Sequence, residues 1–332
     1  MGRHVHVIAE AGTNHGGSRE TAERLVAIAL EAAADSVKFQ IINPDGLYLP
    51  RFWNDGTYQE NEVYKVRAAA MLSDQDYQAL ADACRTGGIS MSASVFDERS
   101  LDLLCAFDPP YIKIASCDLN NDRLLRQAAE RGRKVIVSTG MATLGEVEHA
   151  VNTVLGTGNF DLVLMHCVSI YPCPLEKMNL GFLATLRTAF GLPVGLSDHT
   201  ESSLAAAIAV SMGVEWIEKH FTYDRQAKGF DHAYAMEPAG LAQYIRDLRA
   251  VTAACERPVA KLPPEESQVK KRARRSIYAA RSLQPSDRIQ ESDLLVVRPE
   301  GPLSPNEMGL IVGKAPRRAI QAYEPISLDM VG

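Results

Sequence analysis

Short apolar runs alternate with amphipathic, helix-like segments through roughly the first 255 residues of the chain. The apolar runs are rich in β-branched residues and short enough to be buried strands. They lie at residues 5–9, 36–40, 89–94, 111–116, 135–138, 162–167, 194–197 and 216–220. The predicted helices lie at residues 18–34, 73–85, 97–106, 121–131, 143–155, 179–190, 201–212 and 238–255. The pattern therefore predicts eight strand–helix units in succession.

Strands that are apolar along nearly their whole length are typical of parallel sheets, because helices cover both faces of such a sheet. Eight strand–helix units in a segment of this length fit a closed (β/α)8 TIM barrel. We therefore predict an α/β fold with a catalytic barrel domain over residues 1–258. The alternative is an open doubly wound sheet, which is disfavoured because no G-x-G-x-x-G motif follows the first strand.

Two parts of the chain depart from this rhythm. Residues 41–72 are rich in Asn, Asp, Gly, Tyr and Pro, which predicts a long irregular insertion of functional importance or high mobility. Prolines and charges predict a linker over residues 259–271, followed by a small β-rich domain over 272–332 that leans on a partner surface. Its predicted strands lie at residues 276–280, 294–298 and 315–319.

The amino-acid composition and net charge exclude several classes of protein. The chain has 332 residues, of which 46% are hydrophobic, so a disordered protein is excluded. Its net charge of −6 provides no general attraction for nucleic acid, and the basic run at 270–275 is more typical of an exposed domain edge than of a nucleic-acid patch. No apolar run is long enough to span a membrane, and no signal-peptide pattern opens the chain. Six cysteines without a C-x-x-C pair indicate reduced thiols, so we expect a cytoplasmic protein without a membrane partner.

Chemically useful side chains stand at the carboxyl end of nearly every predicted strand. In a barrel these ends converge on one mouth, where active sites lie, and polar groups buried there are costly unless they are paired or used. This arrangement predicts an active site at the barrel mouth. The residues are Glu10, Lys38, Gln40, Ser94, Lys113, Ser116, Ser138, His166, Ser197, His199, Glu218 and His220, with Asp118 and Tyr171 just beyond their strands.

These residues separate into three kinds of chemistry. Two lysines and four hydroxyls predict a cradle for a phosphate group. Its members are Lys38, Lys113, Ser94, Ser116, Ser138 and Ser197. His199 and His220, on adjacent strands, predict a divalent metal site that would suit Mn²⁺, Co²⁺ or Mg²⁺ as well as Zn²⁺. The carboxylates available for proton transfer or for binding hydroxyls are those of Glu10, Asp118, Glu218 and Asp231. Together they indicate a metal-assisted, aldol-like or phosphate-releasing condensation.

Several segments, in order along nearly the whole chain, resemble the sialic acid synthase family, whose members make nonulosonic acids. In the barrel they are residues 9–18, 37–40, 111–116, 137–141, 165–172, 195–200 and 217–221. In the tail, residues 274–279 and 297–299 resemble the antifreeze-like (SAF) domain of that family. The resemblance implies that phosphoenolpyruvate is condensed with an open-chain N-acetylmannosamine-type sugar aldehyde and that inorganic phosphate leaves.

The resemblance also implies roles for individual residues. Phosphoenolpyruvate would be bound by Lys38, Ser94, Lys113, Ser116, Ser138 and Ser197. The sugar would be bound by Gln40, Tyr171, Asp231 and Arg298, and the catalytic residues would be Glu10, Asp118 and Glu218. His199 and His220 would hold a divalent metal, Mn²⁺ in the first place, with Mg²⁺ or Co²⁺ as alternatives. The family pattern further implies a homodimer in which the swapped C-terminal domain closes the partner's barrel and supplies Arg298.

Two alternatives remain open beside this reading. One is a different 3-deoxy-ulosonate synthase that uses an aldose phosphate, and the other is a catalytically inactive carbohydrate- or ice-binding relative. The insertion at residues 43–67, with Tyr48, Arg51, Trp53 and Tyr58, does not match the sialic acid branch of the family. The sugar therefore stays open among N-acetylmannosamine, its 6-phosphate and a diacetylated precursor of legionaminic or pseudaminic acid.

Overall fold

The computed structural model describes residues 4–255 and 262–332, and the chain divides into two units, residues 1–257 and 258–332. The predicted domain boundary after residue 258 lies outside the described residues, as do residues 259–261 of the predicted linker. The rest of that linker is largely helical, because residues from Pro264 onward form a helix.

Parallel strands close into a barrel in the first unit. Among the described residues, the strands are β1 His6–Gly12, β2 Ser36–Ile41, β3 Arg51–Asn54, β4 Thr57–Glu60, β5 Ser90–Val95, β6 Tyr111–Ile114, β7 Lys134–Ser138, β8 Leu162–Cys167, β9 Val194–Asp198, β10 Trp216–His220, β11 Ser276–Ala279 and β12 Leu294–Val297. The barrel order is β1-β10-β9-β8-β7-β6-β5-β2. The predicted (β/α)8 barrel is confirmed, and the open doubly wound sheet is wrong.

Helices follow the barrel strands on the outside. The helices described in the first unit are α1 Arg19–Glu31, α2 Pro44–Leu47, α3 Glu62–Ala69, α4 Asp74–Gly87, α5 Glu98–Cys105, α6 Asp122–Glu130, α7 Leu144–Leu155, α8 Phe182–Phe190, α9 Leu204–Ser211 and α10 Pro238–Cys255. The second unit contains α11 Pro264–Ala273. Local sequence sets their ends. Ser18 caps α1, and Ser73 and Asp76 form a reciprocal capping box at the start of α4. Gly88 ends α4 in the left-handed conformation. No helix in the described part of the chain is long and apolar enough to cross a membrane.

The two-residue period of the strands divides the barrel into an apolar end and a polar end. In β1, Ile8 faces inward and belongs to an apolar plug at the amino-terminal end of the barrel, together with Tyr111 of β6. Two residues further along these strands, Glu10 and Lys113 also face inward, but at the carboxyl end. The alternate residues, such as Val7 and Ala9, pack outward against the helices. The same inward-facing positions of the strands therefore form an apolar amino-terminal end and a charged carboxyl-terminal mouth of the barrel.

The insertion after β2 is ordered, so the prediction of an irregular segment at 41–72 is wrong. It contains the β3–β4 hairpin and α3. Asp55 and Gly56 form the two-residue turn, both with positive φ, as a tight hairpin requires. Across the strands, Trp53 lies edge-on to Tyr58 at a ring distance of 4.8 Å, and the Arg51 guanidinium lies over Tyr58. Aromatic and cation–π contacts therefore stabilise a hairpin that lacks a buried face.

The second unit has its own small apolar core. Strands β11 and β12 pair antiparallel, and the core includes Ile277, Ile289 and Ile320. The strand predicted at 315–319 is wrong, because that segment makes only an isolated bridge between Pro316 and Val331 in the described structure. Proline lacks the N–H that a regular ladder needs.

Candidate active site

A cavity of about 390 Å³ opens at the carboxyl ends of the barrel strands. The phosphate-cradle residues predicted from sequence all line it, together with both predicted metal ligands. Its predicted lining residues are Glu10, Lys38, Gln40, Ser94, Lys113, Ser116, Ser138, Tyr171, Ser197, His199, Glu218 and His220. The structure thus brings together side chains from all eight strands or the turns that follow them.

Two lysines and two glutamates form a buried charge network at the floor of this cavity. Lys38 Nζ lies 2.6 Å from Glu10 Oε2 and 3.6 Å from Glu218 Oε2. Lys113 Nζ lies 3.1 Å from Glu218 Oε2. All four side chains are at most 5% exposed. When both carboxyl groups are ionised, the network is neutral, so an incoming anion would meet lysines that are already paired.

Burial and neighbouring charge shift the pKa values of these groups in opposite directions. Burial raises the pKa of Glu10, and the opposing attraction of Lys38 does not fully offset this. Burial also acts to raise the pKa of Glu218, but Lys113 and Lys38 outweigh it and the net shift is downward. The environment therefore separates the two carboxyl groups: Glu10 is the better proton carrier, and Glu218 stays ionised.

The serine hydroxyls surround the lysines. Lys38 donates to Ser94 Oγ at 2.8 Å, and Ser197 donates to Glu218 Oε1 at 3.1 Å. Ser116 Oγ accepts the backbone N–H of Gly140 at 3.1 Å, which fixes that hydroxyl in the turn after β6. Hydroxyls placed beside ammonium groups can donate to the oxygen atoms of a phosphate that the lysines attract.

His199 and His220 lie side by side, with ring centroids 5.7 Å apart. His199 Nδ1 lies 2.7 Å from the carbonyl oxygen of Val168, so this nitrogen carries the proton and Nε2 keeps its lone pair. Burial lowers the pKa of His199 to about 3, with a smaller contribution from His220. Burial also lowers the pKa of His220. Both imidazoles are therefore neutral near pH 7, as metal ligands must be.

In the part of the chain that the structure describes, these two histidines have no third close ligand. In the described residues, no further histidine, cysteine or carboxylate joins them in a group whose donor atoms all lie within 4.8 Å of one another. Two neutral imidazoles fit a divalent ion that takes its other ligands from substrate and water. A group that does meet the distance, His4, His6 and Asp35, lies at the opposite end of the barrel, where Asp35 is paired with Arg249.

Four of the residues predicted at the mouth do not line the cavity. His166 is buried beside Phe182, and its Nε2 lies 2.8 Å from the carbonyl oxygen of Met178. Asp231 is buried in the loop after β10 and accepts a hydrogen bond from Tyr234. Asp118 lies in a short 3₁₀ turn after β6, where Asn121 donates to its Oδ1 at 3.0 Å. Arg298 is exposed in the second unit, directly after β12.

Sequence reasoning also missed some cavity residues. Ser169, Cys167 and Met141 line the cavity, and none was assigned a role in it. Ser169 lies two residues beyond the end of β8, so extending the strand period past Cys167 would have found it. Met141 has a positive φ of 60° and gave no comparable signal in the sequence.

Comparison with known proteins identifies the family. A sequence model of the NeuB family matches residues 25–259, and that of the SAF domain matches residues 274–332. The chain belongs to the NeuB family. It is 38% identical over 320 residues to an N,N′-diacetyllegionaminic acid synthase of Legionella pneumophila, covering 92% of this chain and 89% of that protein. It is 31% identical to a pseudaminic acid synthase of Campylobacter jejuni, covering 96% and 94% of the two chains.

Solved structures agree with this placement in the NeuB family. The crystal structure of an N-acetylneuraminic acid (sialic acid) synthetase from Leptospira borgpetersenii matches with a TM-score of 0.72 and 31% identity, covering 80% of this chain and 90% of that one. The predicted family and the C-terminal SAF domain are thereby confirmed, and the chain is a member of the nonulosonic acid synthases.

Proposed function

We propose that this chain condenses phosphoenolpyruvate with the aldehyde of an open-chain, N-acetylated amino sugar and releases inorganic phosphate. The observation that carries the proposal is the placement of buried Lys38 and Lys113, with their serine neighbours, in one cavity of about 390 Å³. Paired ammonium groups suit a small ligand with both a phosphate and a carboxylate. The relatives named after N,N′-diacetyllegionaminic and N-acetylneuraminic acid support an N-acetylated sugar as the second substrate.

In this reaction C3 of phosphoenolpyruvate forms a bond to the aldehyde carbon, and the aldehyde oxygen takes up a proton. Water then adds at C2, and the C–O bond to phosphate breaks. Lys38 and Lys113 would hold the anionic groups, and Glu10, with its raised pKa, would accept a proton from the attacking water. Gln40 donates to Glu10 Oε1 at 3.1 Å and would place the sugar beside it, with Tyr171 and Asp231. Glu218 and Asp118 would complete the predicted catalytic set.

We also propose that His199 and His220 hold a divalent ion, Mn²⁺ in the first place, with Mg²⁺ or Co²⁺ as alternatives. Their neutral state and the lone pair on His199 Nε2, which lies 3.2 Å from Ser197 Oγ, support this assignment. Bound there, such an ion would supply Lewis acidity to the sugar aldehyde. The Tyr171 ring packs against the His199 ring, with centroids 4.1 Å apart and planes tilted by 33°, and so helps to orient that imidazole.

Phosphate release tests the proposed function. Purified protein is incubated with phosphoenolpyruvate and a panel of N-acetylated mannosamine-type aldehydes and aldose phosphates, and the product mass is measured. Phosphate release with an N-acetylated sugar and a product of the condensed mass supports the proposal. Release only with aldose phosphates would favour the shorter-chain synthase, and no release would favour an inactive relative. Lys113→Gln should abolish release, whereas Lys271→Gln, an exposed lysine of the second unit, should not.

Removing the metal and replacing it with single ions tests whether phosphate release needs a divalent ion and which ion supports it. Chelator should stop phosphate release, and adding Mn²⁺, Mg²⁺ or Co²⁺ singly should restore it to different extents. His220→Ala should weaken binding of Mn²⁺ in a titration followed by electron paramagnetic resonance, independently of turnover. Full activity in saturating chelator would contradict the metal assignment.

Finally, we propose a homodimer in which the SAF domain of one copy closes the barrel of the other and brings Arg298 to the sugar. Mixed dimers test this directly. Arg298→Ala and His220→Ala chains, each inactive alone, should regain up to about half of the wild-type rate per mixed dimer, because one barrel then meets an intact SAF domain. If Arg298 acted within its own chain, mixing would restore nothing.

A further inference from the structure

Tyr234 lies outside the predicted set but contacts three of its members, Asp231, Tyr171 and His220. It closes the 3₁₀ turn His232–Tyr234 in the loop after β10. Its hydroxyl donates to Asp231 Oδ1 at 2.6 Å. Its ring lies 4.8 Å from that of Tyr171 and 5.5 Å from that of His220, measured between centroids. Tyr234 therefore joins an aromatic wall beside the cavity to a buried carboxylate.

The hydrogen bond from Tyr234 leaves the other oxygen of Asp231 free. Asp231 Oδ2 is buried and has no hydrogen-bond partner among the described residues. A buried carboxylate oxygen without a donor is unfavourable, so it is best explained by a donor that arrives with a ligand. A sugar hydroxyl is such a donor.

The backbone at Gly12 shows where this free oxygen points. Gly12 ends β1 with a φ of +56°, and a Cβ there would lie 2.8 Å from Asp231 Oδ2. The same Cβ position would lie 3.5 Å from Gln40 Nε2 and 3.5 Å from Glu10 Oε1. Asp231 Oδ2 therefore points toward Gln40, which we assign to the sugar, and toward the catalytic Glu10, across a patch of backbone that only glycine leaves open.

We propose that Tyr234 is a positioning residue that determines sugar binding, holding Asp231 so that Oδ2 remains available to a sugar hydroxyl. The proposal rests on the function proposed above. Without the phenol, the carboxylate is free to rotate, because its terminal torsion is broad. Since Tyr234 contacts Asp231 and the aromatic wall, its loss should affect the sugar and spare phosphoenolpyruvate.

Tyr234→Phe is the informative variant, because it keeps the ring and removes only the hydroxyl. We expect the KM for the sugar to rise about tenfold, as loss of a charge-assisted hydrogen bond implies. The KM for phosphoenolpyruvate should stay close to wild type, whereas the melting temperature should fall, as in the control below, because a buried carboxylate loses a donor. Asp231→Asn should raise the sugar KM similarly, and the double variant should be no worse than Asp231→Asn alone, because both changes remove one interaction.

Tyr244→Phe is a matched control. Tyr244 is also buried, and its hydroxyl donates to the buried Asp198 Oδ2 at 2.8 Å, outside the cavity. It should lower stability without changing the sugar KM. Monodeoxy sugar analogues add a second readout. The analogue that lacks the hydroxyl bound by Asp231 should have a higher KM than the parent sugar in the wild type, but a KM similar to that of the parent sugar in Tyr234→Phe. An unchanged sugar KM in Tyr234→Phe, or equal rises for both substrates, would overturn the assignment. A wild-type protein that releases no phosphate would overturn the proposed function itself, and the positioning role with it.

Discussion

The substitution Glu218→Gln tests how far the negative charge of Glu218 stabilises the two buried lysines of the cavity. Glu218 faces Lys113 Nζ at 3.1 Å and Lys38 Nζ at 3.6 Å, and all three side chains are buried at the floor of the cavity. At an effective dielectric constant of about 20, the first contact alone is worth about 5 kcal/mol of Coulomb energy. The amide cannot supply this, so one buried positive charge remains without compensation. Removing one partner of a buried pair costs about 3–5 kcal/mol of unfolding free energy.

For a barrel of this size, such a loss lowers the melting temperature by roughly 6–20 °C. The assay is thermal unfolding of both proteins with increasing inorganic phosphate. Because the variant site carries an excess positive charge, phosphate should raise its melting temperature more than that of the wild type. Lys113→Met in the Glu218→Gln background removes the excess charge, so it should recover part of the stability and abolish the additional response to phosphate.

Asp198→Asn provides the control for general loss of a buried ion pair. Asp198 Oδ2 lies 3.3 Å from Lys219 Nζ, and both are buried outside the cavity. This variant should also be destabilised, but phosphate should not rescue it. The reasoning would be refuted if Glu218→Gln melted at the wild-type temperature, or if phosphate stabilised both proteins equally.

Three further predictions concern stability and the insertion. Burial lowers the pKa of His6 from 6.5 to about 4, so the unfolded chain binds more protons between these values. His6 alone should therefore contribute a fall of about 2–3 kcal/mol in unfolding free energy from pH 7 to pH 4.5, and His6→Phe should reduce the total fall by that amount. Ser73→Ala removes the capping box of α4 and should cost about 0.5–2 kcal/mol in urea unfolding. Arg67 of α3 donates to Thr13 and lies 4.1 Å over the Phe230 ring; since these neighbours flank the sugar-binding residues, Arg67→Ala should raise the KM for sugar severalfold while that for phosphoenolpyruvate stays unchanged.

The sequence was most informative where burial constrains it. Barrel strands are covered on both faces, so their apolar runs identified them, and the strand period then placed residues such as Glu10, Lys38 and Glu218 at the mouth. The hairpin at 51–60 was missed because its residues are exposed and leave no apolar pattern. Asp118 was expected at the cavity because it follows a strand. The turn after β6 instead directs it toward Asn121, and strand periodicity says nothing about such a turn.

Residue types predicted the kinds of chemistry, but only the geometry shows how the charges are divided. Lys38 contacts Glu10 more closely than Glu218, at 2.6 Å against 3.6 Å, and Lys113 is paired with Glu218. An anion bound by these lysines would therefore draw Lys38 away from Glu10. Loss of that partner and addition of negative charge both raise a carboxyl pKa. Because burial has already raised the pKa of Glu10, we expect anion binding itself to prepare this residue to take up a proton, while the second lysine keeps Glu218 ionised.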